Sequence, residues 1–260
     1  MIYYQISNSF MDVSASTYRY AQRRLTPVQS KPPHDPTDQA TRTHSERTAQ
    51  EQSVQRRSKS ADKIADAYAD VADKLARWRQ LDQLVAGRYR QDHFRYASGR
   101  VLDVACGTGR NFQYLPSASE VVGIDISDEM LTHARSELGR LDVEGTVHTM
   151  DAQALDFSDD SFDTVISSFS TCTFPDPKAA LHEMERVCRP DGEILLLEHR
   201  HSDAAPLAWL QDWRAESQYE KNGCRLTHDP LETVEQAGLT VENTSTSFFG
   251  LVTTIEASPR

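Results

Sequence analysis

The chain has 260 residues, 38% of them hydrophobic and 26% charged, with a net charge of −11. That charge offers no general nucleic-acid surface, which needs basic patches, and no apolar run approaches the roughly 20 residues of a membrane span or resembles a secretory leader. The expectation is a cytoplasmic protein with one α/β domain of about 150–200 residues and an appendage.

Residues 1–60 are rich in Gln, Ser, Thr, Arg and Pro and carry nine basic against five acidic side chains. With no sustained apolar period they cannot bury enough surface to offset the entropy of ordering, which predicts a disordered tail. A basic arm that recruits an acidic partner is the alternative. Over residues 61–98, Ile64, Tyr68, Val71, Leu75 and Trp78 recur every three or four positions. This spacing predicts one or two amphipathic helices, placed as an N-terminal helical cap ahead of the following domain. Tyr68 and Trp78 are candidates for a pocket wall as well as for core.

The domain expected over 99–260 opens on Val101-Leu-Asp-Val-Ala-Cys-Gly-Thr-Gly-Arg-Asn111. Val101, Leu102 and Val104 predict a buried strand, and Gly107 and Gly109 a turn in which no Cβ keeps a ligand from the backbone. Asn111 to Leu115 predicts a helix stopped near Pro116, its first amides facing a ligand at the strand's carboxyl end. Such a geometry suits a nucleotide. The third glycine of a dinucleotide fingerprint is missing, because its place holds Phe112 in one register and Arg110 in the other. No phosphate loop of the G-x-x-x-x-G-K-[ST] type occurs either. What remains is D-x-x-x-G-x-G, Asp103 to Gly109. Ala105 within it is tolerable if its backbone is not left-handed.

Val121-Val-Gly-Ile-Asp125 predicts a second buried strand ending in a carboxylate able to accept both hydroxyls of a ribose. Ser127 followed by Asp128 and Glu129 reads as a helix start, with His133 a surface or packing residue on that helix. Gly145 to Thr149 is the third strand, leading to Met150-Asp151-Ala152, and Ser161-Phe-Asp-Thr-Val-Ile-Ser-Ser168 the fourth. Asp176 to Cys188 has a helical apolar pattern. Arg189-Pro-Asp-Gly192 then turns into Glu193-Ile-Leu-Leu-Leu-Glu198, a fifth strand that ends in Glu198-His199-Arg200-His201. An insertion at about 203–226, with Trp209 and Trp213 at helical spacing, has the position of a substrate lid. A final helix runs to Ala237-Gly238, and strands over 239–246 and 247–257 complete the sheet, the last antiparallel.

Cys106, Cys172, Cys188 and Cys224 show neither C-x-x-C pairing nor histidines at zinc spacing. They read as isolated thiols with no metal site. Cys172 lies in the Ser168–Phe174 loop, where it either approaches a transferred group or packs beneath the loop. Packing is the expectation, since nothing nearby in sequence would lower its pKa.

The marks at Asp103–Gly109, Val121–Asp125, Met150–Ala152, Ser161–Ser168 and Arg189–Glu198, in that order, resemble the motifs of class I S-adenosylmethionine-dependent methyltransferases with a type 11 domain. The resemblance implies an α/β fold with a doubly wound, mostly parallel seven-stranded sheet in the order 3-2-1-4-5-7-6. It implies S-adenosyl-L-methionine as cofactor, touched by Asp103, Ala105, Gly107, Thr108, Gly109 and Asn111. Asp125 and Ile126 would lie at the ribose, Asp151 and Ala152 at the adenine, and Ser168 and Phe169 near the methionine moiety. The Gly109–Phe112 and Thr171–Thr173 stretches, Glu198-His199 and Gly223–Thr227 resemble the methyltransferase-like 7 branch, whose animal members methylate small alkyl thiols. More loosely they are similar to quinone C- and phospholipid N-methyltransferases.

Methyl transfer from a sulfonium is an in-line displacement that depends mainly on proximity and orientation and needs no metal. A base is useful where the acceptor binds protonated, and His199 with Glu198 beside it is the candidate catalytic pair. The lid tryptophans point to a small, apolar or aromatic acceptor with an S, N, O or C nucleophile. The animal thiol enzymes also carry a membrane-anchoring segment of which this sequence shows no sign, so no integral membrane segment and no nucleic-acid partner are expected. A non-catalytic module that binds the cofactor without turnover is the rival reading.

Overall fold

The computed structural model describes residues 59–260, so the tail expected over 1–60 lies outside the described residues except at its last two positions. Four short helices lead the described part: α1 (Ala61–Ala69), α2 (Ala72–Arg77), α3 (Arg79–Val85) and α4 (Gly87–Phe94). One or two longer helices were expected. The breaks fall at Val71, Trp78 and Ala86, whose φ/ψ pairs of −113/−2°, −85/15° and −103/−15° lie in the bridge region, where an α-helix cannot continue without bending.

A seven-stranded sheet follows: β1 (Ser98–Val104), β2 (Ser117–Asp125), β3 (Gly145–Thr149), β4 (Phe162–Ser168), β5 (Cys188–His199), β6 (Thr240–Ser247) and β7 (Val252–Ser258). Its order is β3-β2-β1-β4-β5-β7-β6. The pairs β1–β2, β1–β4, β2–β3 and β4–β5 are parallel, while β7 runs antiparallel to both β5 and β6. The central strands are near-continuous apolar runs because both faces are covered. Leu102, Val104, Val122, Ile124, Val165 and Leu196 all lie in one buried core.

The connecting helices are α5 (Asp128–Leu141), α6 (Pro177–Val187), α7 (Ala205–Asn222) and α8 (Pro230–Ala237). Their starts are written locally. Ser127 Oγ accepts from Met130 N, Asp176 from Lys178 N and Ala179 N, and Asp229 from Leu231 N and Glu232 N, satisfying amides that have no partner inside the helix. Asn111 to Leu115 does not form the expected helix. Only a 3₁₀ turn, Phe112–Tyr114, is present, because Pro116 forces Leu115 out of the α region to φ/ψ −112/57°. Strand β5 likewise starts earlier than expected. Cys188 pairs with Phe162 and Glu193 with Thr164, so Arg189 to Gly192 bulge within the strand rather than preceding it.

Strand order reverses between β1 and β4, so the carboxyl ends of β1, β2, β4 and β5 border the crevice where an open α/β sheet takes its ligands. Trp209 and Trp213 of α7 are exposed and stacked, their rings 6.4 Å apart and 6° from parallel. No helix among the described residues is long and apolar enough to cross a membrane.

Two glycines test this packing. A Cβ at Gly145 would collide with the Val121 carbonyl oxygen across the β2–β3 ladder, whereas one at Gly139 on α5 meets nothing within 4 Å. Thermal or urea unfolding should therefore show Gly145→Ala destabilised by about 1–3 kcal/mol. Gly139→Ala should be stabilised by about 0.5–1 kcal/mol, and equal effects at the two positions would contradict the β2–β3 register.

Candidate active site

The crevice begins at the turn after β1. Gly107 and Gly109 have φ of 55° and 76°, values that cost L side chains energy. A Cβ at Gly107 meets nothing within 4 Å, so the backbone there stays open to a ligand, while one at Gly109 would sit 2.6 Å from the Phe112 ring. Ala105 also takes a positive φ, 55°. The condition under which alanine is innocuous here is thus not met, and the turn carries about 1–2 kcal/mol of local strain. Phe169, after β4, is held the same way at φ 54°, so both sides of the crevice contain a strained residue.

Asp125 fixes the turn. Its Oδ2 accepts from Gly107 N at 2.9 Å and its Oδ1 from Ser127 N at 3.0 Å. Burial raises its pKa, and the amides of Ser127, Gly107 and Ile126 oppose that shift. Each carboxylate oxygen has a second lone pair, so Asp125 can hold the loop and still accept from a diol. Met150 N donates to the Asp125 carbonyl at 3.0 Å, which brings the β3 tip alongside. There Asp151 accepts from Gln153 N at 2.9 Å and from Gln153 Nε2. Ala152 is buried beneath it, while Thr108 and Ile126 are half-buried at the rim.

A second, buried polar group joins the turn to the N-terminal helices. Asn111 Nδ2 donates to both oxygens of Asp103 at 3.0 and 3.1 Å, and its Oδ1 accepts from Arg90 Nε at 2.9 Å and Ser168 Oγ at 3.1 Å. Asp82 then bridges Arg90 and Arg110 at 2.7 and 2.8 Å. The two guanidiniums hold its pKa low although burial works against them. The Arg90 guanidinium also lies 5.3 Å from the centre of the Phe169 ring. Asp82, Arg90 and Arg110 carry no sequence signal, since charges on helices and in loops are usually solvated.

At the β5 tip Glu198 and His199 are buried. Glu198 Oε1 accepts from Ser170 N and Thr171 N, each at 3.2 Å, and so fixes the loop after β4. Burial raises Glu198 to about 6 against the pull of His199 and these amides. Cys224 Sγ lies 3.3 Å from His199 Nε2 and 3.5 Å from Cys172 Sγ. Two of the four cysteines are therefore not isolated. They come from separate segments, a relation that spacing rules cannot detect. The hydrogen bond with Cys172 and the neighbouring His199 lower the Cys224 pKa against burial, and the Cys172 thiol is raised by that same bond and by burial. His199 is opposed by burial but raised overall by Cys224 and Glu198.

Tyr68 of α1 is half-buried. Burial raises its phenol, and its electrostatic neighbours are Cys224, Cys172 and Asp125. The carboxyl ends of β1 to β4 thus gather Asp103, Ala105, Gly107, Thr108, Gly109, Asn111, Asp125, Ile126, Asp151, Ala152, Ser168 and Phe169. Glu198 and His199 stand beside them at the end of β5.

A family described as a methyltransferase domain matches residues 102–196. The chain is 37% identical over 157 residues to a phosphatidylethanolamine N-methyltransferase of Cereibacter sphaeroides, covering 55% of this chain and 75% of that protein. It is 30% identical over 148 residues to a thiol S-methyltransferase of Homo sapiens, covering 54% and 61%. A crystal structure of a SAM-dependent methyltransferase from Aquifex aeolicus superposes with a TM-score of 0.55 at 18% identity, over 73% of this chain and 97% of that one.

Asp103 offers a test that needs no ligand. Burial raises its pKa to about 7 although Asn111 and Arg90 favour its charge, against an unfolded value of about 3.9. The folded chain therefore binds the extra proton between these values, and this contribution to stability is lost as pH rises from about 4 to about 7. Asp103→Asn removes that dependence. Its melting temperature relative to the parent should climb from about pH 4 to about pH 7 and level off above, and a constant offset would mean that Asp103 ionises normally.

Proposed function

This chain belongs to the class I S-adenosylmethionine-dependent methyltransferases, and from that premise we propose that it methylates a small apolar thiol or amine at the β5 side of the crevice. One observation carries the reading: Glu198 at the β5 tip accepts from Ser170 N and Thr171 N in the loop after β4, while Ser168 at the end of β4 donates to Asn111 of the glycine turn, so the glycine turn and the Glu198–His199 tip flank the same strand end.

The open backbone at Gly107 and the Asp125 carboxylate fit a nucleoside with a free ribose diol. Asp151 and Ala152 would flank the base, and Asp103, Ala105, Thr108, Gly109, Asn111, Ile126, Ser168 and Phe169 would shape the rest of the donor pocket. When bound, the donor supplies a sulfonium-activated methyl group and its own leaving group. The residues of the chain have to align the acceptor with that carbon and keep competing water out. The described relatives are named for an amine-bearing phospholipid and for thiols. An ammonium and a thiol share one requirement, because each must lose a proton before its lone pair can attack. We place that loss at Glu198 and His199. Both lie buried at the strand end, and Glu198 Oε2 and His199 Nδ1 have no hydrogen-bond partner among the described residues. Helix α7, with its exposed Trp209 and Trp213, would cover the acceptor as a lid.

Asp125→Ala should weaken donor binding by roughly 1–3 kcal/mol in calorimetry, and unchanged affinity would put the ribose elsewhere. His199→Ala should lower turnover by about 10²-fold or more while donor affinity stays near that of the parent. A labelled-donor screen of thiols, amines, phenols and quinols tests the acceptor class. Tight binding of donor and of S-adenosylhomocysteine without product from any of them would leave only a cofactor-binding module.

A further inference from the structure

We propose that Cys172, His199 and Cys224 form a site for a soft divalent cation, zinc, with its open coordination position toward the methyl donor. Their ligand atoms all lie within 4.8 Å of one another, and all three residues are buried. Tetrahedral zinc, with bonds of about 2.3 Å to sulfur and 2.0–2.1 Å to nitrogen, has S···S and S···N edges of about 3.8 and 3.5 Å. The observed separations of 3.5 Å between the sulfurs and 3.3 Å from Cys224 Sγ to His199 Nε2 are within a few tenths of an ångström of these edges. Two thiolates and an imidazole select zinc over oxygen-seeking magnesium or calcium. Three protein ligands also leave one position for a substrate atom, as in catalytic rather than structural zinc sites.

The ligands are held by contacts that do not involve the sulfurs. Arg225 N donates to the Cys172 carbonyl at 3.1 Å, and the Arg225 guanidinium donates to the carbonyls of Phe174 at 2.9 Å and Pro175 at 3.2 Å. The segment after α7 is thereby tied to the loop after β4. Cys224 N donates to Asn222 Oδ1 at 3.2 Å. His199 is paired into the β5–β7 ladder opposite Val252. A site assembled this way loses little entropy when a cation enters.

The inference rests on the methyltransferase reading for its consequence, and it narrows the acceptor to a thiol. A thiol bound to zinc gives up its proton to solvent near neutral pH, so with the cation in place His199 serves as a ligand and not as the base. The thiolate keeps lone pairs with which to attack the methyl carbon. As the new C–S bond forms, the donor's sulfonium–methyl bond breaks and its electron pair returns to the donor sulfur. An amine bound to the cation would have no lone pair left for that attack. The product is a neutral thioether, a poorer ligand than the thiolate, and it departs.

The test uses the full chain, purified under reductant without a metal-binding tag, with metal measured by mass spectrometry. The expected result is about one zinc per chain, lost in Cys172→Ser and Cys224→Ser and kept in Cys188→Ser. Cobalt substitution should give the visible bands of a tetrahedral thiolate complex in the parent and not in the two ligand variants. Donor binding by calorimetry shows that each variant is folded. A chain that binds donor yet takes up neither zinc nor cobalt, or that is isolated with Cys172 and Cys224 joined as a disulfide under reductant, overturns the metal site. Thiol turnover that survives chelation overturns it as well while leaving the methyltransferase reading intact. Stoichiometric metal without turnover of any acceptor has the opposite meaning: the site stands and the acceptor assignment fails.

Discussion

The side chain of Asn111 is the constraint on which the crevice depends. Its amide nitrogen is spent on Asp103 at the end of β1, and its oxygen takes Arg90 of α4 and Ser168 at the end of β4. An amide has donors at one end and an acceptor at the other, so it can join a buried carboxylate to a buried guanidinium without leaving either unpaired. Neither aspartate nor lysine could do both. Burying ions is costly unless every partner is present, and here each partner comes from a different element. Closing the network therefore places α3, α4, the glycine turn and the β4 tip together, and the strained backbones of Ala105 and Phe169 persist inside a frame that over-determines them.

The fold was legible because its signals are local. Apolar runs such as Val101 to Val104 and Val121 to Ile124 say that a strand is covered on both faces. Ser127, Asp176 and Asp229 announce helix starts through bonds to amides two or three residues on. The strand order 3-2-1-4-5-7-6, which the family resemblance implied, agrees with the sheet. The misjudged pieces are those where a local preference was outweighed. The stretch before Pro116 forms only a 3₁₀ turn and not a helix, and the amphipathic stripe from Ile64 to Trp78 bends at Val71 and Trp78.

The site divides along the same line. Gly107, Asp125 and Asp151 were readable, since a glycine turn and carboxylates at strand ends announce themselves within a few residues. The coupling of Asp125 to Gly107 N was not, because it connects the tips of two strands. Cys172, His199 and Cys224 were least accessible. No two of them are closer than 25 residues in sequence, and only the parallel β4–β5 pairing and the return of the chain after α7 bring them within bonding reach. A rule based on ligand spacing finds metal sites built on one hairpin or one helix and misses those built by topology.

These two halves differ in kind, and the difference bears on chemistry. Around the tips of β1 and β2 the polar groups are hard: Asp103, Asp125, backbone amides and Asn111. At the tip of β5 two sulfurs and an imidazole, all soft, stand beside the Glu198 carboxylate. In the proposed reaction the sulfonium methyl group carries its positive charge diffusely and reacts best with a soft nucleophile, so soft groups facing it would complement the transition state rather than the ground state alone. Asp125 of the first set and Cys172 and Cys224 of the second all act on the charge of Tyr68. It belongs to α1, which packs against α7, so movement of either helix would be felt at Tyr68.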